Sequence, residues 1–408
     1  MKTTNSPLQH KFIPPWLVLL AALTAIGSLS IDMYLPSFPT ITKDLGPGVQ
    51  LTLASFLVGL AVGQLFYGPF SDRFGRKPPL YFGIGLYILS SFACIFVHDM
   101  ETLIVLRFFQ GLGGCGGFVV SRAAIRDKMG AEGSAHAYSL MMLVFGISPV
   151  LAPLAGGLVL TLCGWRTIFI TMTLFAAICL IAMHYVMEES LDPAHARPLH
   201  LGRVCRQYWD LLHDRQFVSY ALCGGLVQAG LFAYIAGSPF VLIELHGIPA
   251  KYYGLVFGSN AIGLIAASQI NARLVKKQSL DRILKYTLTI AATVSLASAL
   301  LVAAGINSLP LLLIGLFLYL SSYGMISPNA IAMVLKYQGK QAGTASALAG
   351  TLQFALGVSS GVCMSLWHSN SALPLTSVMA LCGVSALLLY HLVAKKQQPA
   401  ILRREAGT

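Results

Sequence analysis

The stretch LSIDMYLPSFP (Leu29–Pro39) places one carboxylate, Asp32, in a run with no other charged residue between Phe12 and Thr42. A second apolar stretch, LIVLRFFQGLGGCGG (Leu103–Gly117), carries a single guanidinium, Arg107. Away from water a carboxyl group favours its neutral form, and a nearby cation opposes that preference. An isolated acid in such a setting can take up and release a proton, and a buried base can set when it does so. The chemistry these two residues offer is proton transfer coupled to something else.

Elements must hold them at depth. The chain has 408 residues, of which 56% are hydrophobic and 10% charged, with a mean hydropathy of +0.72. A soluble domain carries roughly 25% charged residues, so this is a membrane protein. A spanning helix needs about 20 apolar residues. Twelve spans are expected, over 14–36, 50–70, 79–97, 102–121, 137–160, 166–187, 217–242, 252–272, 283–304, 309–331, 343–366 and 373–394. The first is too long for the apolar core of a signal peptide and reads as an uncleaved span.

Of the 27 Lys and Arg, 23 fall in loops on one side or at the termini, Arg107 lies inside span four, and only Lys43, Arg166 and Lys251 fall on the other side. The positive-inside rule then puts both termini in the cytoplasm. The net charge of +12 is thereby a topology signal, not a nucleic-acid surface. The polar segment 188–216 separates residues 1–187, a six-helix half, from 217–408, a second six-helix half with a short tail. An amphipathic surface helix is expected within that segment, around Val204–Leu212. The halves echo faintly at an offset of 200, Gly63 with Gly263 and Arg73 with Arg273. The eight Cys form no C-x-x-C pair and read as small apolar residues within helices.

Three motifs stand out. GPFSDRFGRKPPL (Gly68–Leu80) lies between spans two and three. Gly68 permits close helix approach, Gly75 a tight turn, and Asp72, Arg73, Arg76 and Lys77 supply charge. The second is Arg107 with Gln110 and Gly111. The third, SPVLAPLAGG (Ser148–Gly157), combines Pro149 and Pro153, which bend a helix, with Gly156 and Gly157, which allow close packing. GLGGCGG (Gly111–Gly117) lacks the strand–helix context of a nucleotide loop, and no Walker sequence occurs.

The first motif resembles the signature loop of the major facilitator superfamily, G-x-x-x-D-R-x-G-R-K/R. The second is similar to that family's R-x-x-Q-G of span four, and the third to G-P-x-x-G-G of its antiporters, with Ala152 in place of the first Gly. SIDMYLP, GWRTIF (Gly164–Phe169), GSPF (Gly237–Phe240) and AGTASALAGTLQF (Ala342–Phe354) extend the likeness over nearly the whole chain, to the bicyclomycin-resistance (Bcr/CflA) subfamily of twelve-span drug:proton antiporters. A better-known multidrug relative carries a Glu eight residues before the Asp; here that position is Thr24.

The resemblance implies an all-α integral membrane protein, twelve transmembrane helices in two six-helix halves. It implies a conformational latch at Gly68, Asp72, Arg73, Gly75 and Arg76, to which Asp127 at the end of span four is added as a partner. Proton coupling is expected of Asp32 and Arg107, whose matching depths allow them to approach each other. Pro149, Pro153, Gly156 and Gly157 form the antiporter motif and favour export over uptake. Tyr34, Phe232, Tyr234, Asn260, Gln353 and Phe354 are expected to line the substrate cavity, and Glu244 reads as a solvated charge at the rim. The implied function is proton-driven efflux of small antibiotics such as bicyclomycin or phenicols by alternating access. An exporter of a metabolite (a sugar, amino acid or short peptide) fits the same residues. The expected partners are a small-molecule drug or metabolite, protons and the lipid bilayer, in the bacterial inner membrane. No cofactor, metal or nucleic acid is expected, the proton gradient being the energy source, and the chain is expected to act as a monomer. An enzyme would need His, Asp, Glu or Ser groups converging at one depth, which the sequence does not show.

Overall fold

Helix ends are marked by the residues that can serve them. Pro15 opens α1 (Pro15–Asp32), where a missing N–H leaves nothing unsatisfied. The Asp99 side chain accepts from the Thr102 N–H at 2.7 Å to cap α5 (Met100–Cys163). The Asp214 side chain does the same for the Gln216 and Phe217 N–H groups of α8 (Arg215–Pro239). Gly164, Gly247 and Gly305 turn the chain with φ of 80°, 68° and 83°. The computed structural model describes residues 14–191, 201–336, 338, 341–367 and 369–394, and among these there is no strand.

The remaining elements are α2 (Phe38–Leu45), α3 (Val49–Phe74), α4 (Lys77–Ala93), α6 (Arg166–Val186), α7 (Leu201–His213), α9 (Ala250–Leu274), α10 (Leu280–Ala303), α11 (Leu309–Leu335), α12 (Ala342–Leu366) and α13 (Leu373–Leu389). A 3-10 turn, Leu35–Ser37, joins α1 to α2, and a π-helical turn, Phe240–Leu245, extends α8. Among the described residues, eleven helices are long and apolar enough to cross a membrane, and Ile147–Cys163 is a shorter apolar stretch. The basic loops predicted at Lys2, Lys11, Arg197, Lys340, Lys395, Lys396, Arg403 and Arg404 lie outside the described residues.

Spans four and five, expected as separate helices, belong to one helical run of 64 residues, α5. It is not straight. Arg107 hydrogen-bonds α1 at Ser30, Lys128 lies over the Trp16 ring at the start of α1, and Gly156 abuts the Met33 carbonyl at its end. A straight helix would carry residue 156 about 74 Å past residue 107. The chain therefore runs down α1 and back while staying helical, and one element supplies two crossings.

The two six-helix halves repeat their internal crossings. A Cβ on Gly63 of α3 would meet Cys115 of α5 at 2.6 Å, and one on Gly263 of α9 would meet Ser321 of α11 at 2.7 Å. Gly111 returns the first contact against Phe56 and Gly324 the second against Leu264. The sparse echo at an offset of 200 thus marks equivalent close crossings, where only a residue without a side chain lets backbones approach. Between the halves, α3 packs on α12 and the second part of α5 packs on α9. The amphipathic α7 bridges them: Tyr208 donates to the Leu65 carbonyl of α3 at 3.3 Å, and Thr344 of α12 donates to Gln207 at 3.4 Å.

Candidate functional site

Asp32, the last residue of α1, is 4% exposed. Its Oδ2 accepts from Ser28 Oγ at 2.8 Å, one helical turn back. Among the described residues no ion pair reaches it. Tyr234 of α8 and Tyr253 of α9 lie within its electrostatic reach. Tyr234 accepts from Asn260 Nδ2 at 3.0 Å and stacks on Phe257, with centroids 5.3 Å apart. The Tyr253 hydroxyl is 2.8 Å from Ser238 Oγ. Asp32 therefore lies within electrostatic range of a polar cluster built by the opposite half.

Arg107 is fully buried and faces elsewhere. Its Nη2 donates to the Ser30 carbonyl at 2.9 Å, and its Nη1 donates to Gln110 Oε1. Gln110 in turn donates to Ser91 Oγ at 2.7 Å. The guanidinium lies 4.6 Å from the Tyr34 ring centroid and 4.5 Å from that of Phe56, so two aromatic faces stand in for a carboxylate. Arg107 reaches α1 two residues from Asp32, but among the described residues the two form no ion pair. The reason is helical phase: positions 30 and 32 differ by about 200° around α1, so a side chain that reaches Ser30 is turned away from Asp32.

The expected lining residues separate in the same way. Tyr234 and Asn260 join the Asp32 cluster. Tyr34 instead packs with Arg107, Phe38 and Phe169, its hydroxyl 3.0 Å from Thr52 Oγ1. Phe232 and Phe354 pair across α8 and α12 with centroids 6.0 Å apart, and Gln353 lies against Gly225. Thr24 donates to the Leu20 carbonyl of its own helix at 2.9 Å.

At the basic end of the bundle Arg76 is the hub. It is 2% exposed, and it donates to Asp127 Oδ2, Asp72 Oδ1 and Ser71 Oγ, each at 2.7 Å. Glu189, just beyond α6, accepts from the backbone N–H of Arg76 at 2.8 Å and of Lys77 at 3.0 Å. Burial pushes the Glu189 carboxyl up, but the N–H groups of Arg76, Leu191, Lys77 and Ser190 outweigh it and hold the group below its ordinary value. Gly75 has φ of 91°, and a Cβ there would meet Glu189 Oε2 at 2.6 Å. Arg73 is exposed. The close approach expected at Gly68 is not made, since a Cβ there would meet nothing within 4 Å.

The Pro/Gly motif lies where the halves touch. Pro149 and Pro153 are inside α5. Gly156 abuts the Met33 carbonyl, and a Cβ on Gly157 would meet the Ala250 carbonyl of α9 at 2.7 Å. Sequence reasoning missed Ser28, Tyr253 and Glu189. Ser28 was discoverable, lying four residues before Asp32 on one helix face. Glu189 shows only as an acid in a basic flank.

A helical bundle that crosses the membrane in two equivalent halves, with ionisable side chains buried inside and between them, is a transporter and not an enzyme. Residues 20–362 match the family model described as Major Facilitator Superfamily, and the chain belongs to that superfamily. An uncharacterized MFS-type transporter, YdgK, of Bacillus subtilis (strain 168) is 34% identical over 387 residues, 93% of this chain and 95% of that protein. A bicyclomycin resistance protein homolog of Haemophilus influenzae is 30% identical over 391 residues, covering 95% and 98%. The crystal structure of a D-xylose-proton symporter matches with a TM-score of 0.69 at 14% identity, covering 92% and 97%, a likeness of fold.

Proposed function

We propose that this transporter is a drug:proton antiporter that exports small antibiotics of the bicyclomycin or phenicol kind across the bacterial inner membrane, its basic end and both termini in the cytoplasm. The observation that carries the reading is Asp32: buried, held by one hydroxyl, free of ion pairs among the described residues, and at the end of α1 beside the turn that packs on α8 and α9 of the other half. An ionisable acid with so little support inside a membrane protein marks a proton or ligand pathway. The bicyclomycin resistance homolog supports the cargo class, and the Pro/Gly motif of α5, with Gly157 at the contact between halves, supports export.

Open to the outside, Asp32 takes a proton; open to the cytoplasm, it gives the proton up as drug enters beside Tyr234 and Asn260. Drug and proton thus compete for one site, and the inward proton gradient drives export. Arg107 holds α1 in register through Ser30 and keeps a positive charge near the site without neutralising Asp32. Asp72, Gly75, Arg76 and Asp127 fasten the cytoplasmic end of the first half as it rocks. One chain, segment 188–216 joining the two halves, closes the cavity and works as a monomer.

Proton release from the detergent-solubilised protein on adding substrate tests this reading. Bicyclomycin, phenicols and a panel of sugars, amino acids and short peptides are screened, with Asp32→Asn as control. Release with an antibiotic, absent in the variant, is expected. Release with metabolites alone assigns a metabolite exporter, and equal release from the variant refutes the role of Asp32.

A further inference from the structure

At the end of the bundle opposite the Arg76 loop, a cleft of about 200 Å³ opens between the halves. The first half contributes Phe38 and Thr42 of α2 with Gln50 of α3; the second contributes Phe240, Glu244 and Trp367. Three features make it more than a seam. Its walls carry three aromatic side chains from both halves. Among the described residues Glu244 is the only ionisable side chain lining it, and at neutral pH a carboxylate there is negative. Glu244 is also delivered by the π-helical turn Phe240–Leu245, a distortion that re-aims side chains and is frequent at functional sites.

The cleft and the Asp32 cluster share α8. Gly237, which lines the cleft, lies three residues beyond Tyr234, and Ser238, the partner of Tyr253, is next. The 3-10 turn Leu35–Ser37 and α2 separate the two places, and Ser37 and Phe38 are buried. On the export reading this is the end of the bundle toward which a solute leaves.

The geometry points to a second, exit-side binding site in this cleft for small organic cations of the quaternary ammonium or protonated amine class, with Glu244 as counter-ion and Phe38, Phe240 and Trp367 as cation–π walls. Aromatic faces around one carboxylate recognise diffuse positive charge. The site rests on the export reading only for its place on the exit route; binding itself needs no gradient. It also gives the chain a recognition element for cations that span one lacks, since Thr24 stands where an acid would otherwise draw them. Both halves wall the cleft, so rocking of the halves changes its width and releases what it holds.

Equilibrium binding of benzyltrimethylammonium to the purified full-length protein tests the site, read by the fluorescence of Trp367, one of four Trp in the chain. The cation is expected to change the emission, with affinity falling about threefold to tenfold in Glu244→Gln, as for a partly solvated charge pair. Trp367→Leu should remove the optical signal, with binding then followed by calorimetry. Asp32→Asn should leave the affinity unchanged, and the neutral isostere neopentylbenzene should bind no better to wild type than to Glu244→Gln. Unchanged affinity in Glu244→Gln overturns the site. So does loss of binding in Asp32→Asn alone, which would move the cation to the central cluster and leave the proton reading standing. Failure of substrate-induced proton release with intact Glu244-dependent binding would instead remove the export reading and keep the site.

Discussion

Arg107 donates to the Ser30 carbonyl of α1 at 2.9 Å, two residues before Asp32, and forms no ion pair with the Asp32 carboxylate. The buried base braces the helix that carries the buried acid, and the acid is left without a cationic partner among the described residues. Proximity without pairing lets Arg107 hold α1 in place while Asp32 remains available to a proton or a ligand.

That separation predicts near-independence. Arg107→Lys removes the bidentate reach to Ser30 and Gln110 and the flat stacking on Tyr34 and Phe56, which an ammonium cannot reproduce. Thermal stability in detergent should fall. Against Asp32→Asn, the double variant should show a coupling of about 0.5 kcal/mol or less, as for residues without a shared contact. A coupling of several kcal/mol would mean that the two pair in solution.

The Arg76 hub predicts unequal partners. Arg76→Ala strands Asp127, whose side chain is 18% exposed, more severely than Asp72, at 40%. The loss should be about 3 kcal/mol. A double-mutant cycle should give a larger coupling with Asp127→Asn than with Asp72→Asn, because solvent already screens Asp72. Equal couplings from unfolding curves would contradict the geometry.

Glu189 predicts a pH effect. Its carboxyl sits below its ordinary value of 4.5 because folded N–H groups favour the charged form. That stability is fully present above 4.5 and is lost as pH falls through the lower folded value. Glu189→Gln should therefore be less stable than wild type near neutrality, with the difference shrinking in acid. Melting temperatures from pH 7 down to pH 3 check it, and a constant difference would show that the interaction is not ionic.

Gly157 predicts a population shift. A methyl group there meets the Ala250 carbonyl at 2.7 Å, across the contact between α5 and α9. Gly157→Ala should disfavour this closed arrangement and populate the state open at that end. Distances between spin labels on the two halves should lengthen there; an unchanged distribution would mean that the backbones have room to spare.

Much of this was legible because membranes leave few solutions. Apolar length gave the helices, and charge asymmetry separated one end from the other. Spans four and five were harder: the charged stretch after residue 121 reads as a loop, yet the chain stays helical through it. Asp32 and Arg76 stood out because a charge in a sparse sequence is visible. Arg107's partners did not, since a carbonyl and two rings carry no charge signal. That Tyr34 packs with Arg107 while Tyr234 bonds Asn260 across α8 and α9 was not legible, because one sequence does not fix helical phase.

The central claim is that Asp32 is the group at which proton and drug compete. The most direct measurement is drug-dependent proton movement in inverted membrane vesicles carrying wild type or Asp32→Asn. Wild type should dissipate an imposed pH gradient on adding an exported antibiotic and accumulate the drug while the gradient lasts. Asp32→Asn, folded and present in equal amount, should do neither and should bind the drug with an affinity independent of pH. Gradient-driven accumulation by Asp32→Asn at the wild-type rate would contradict the account.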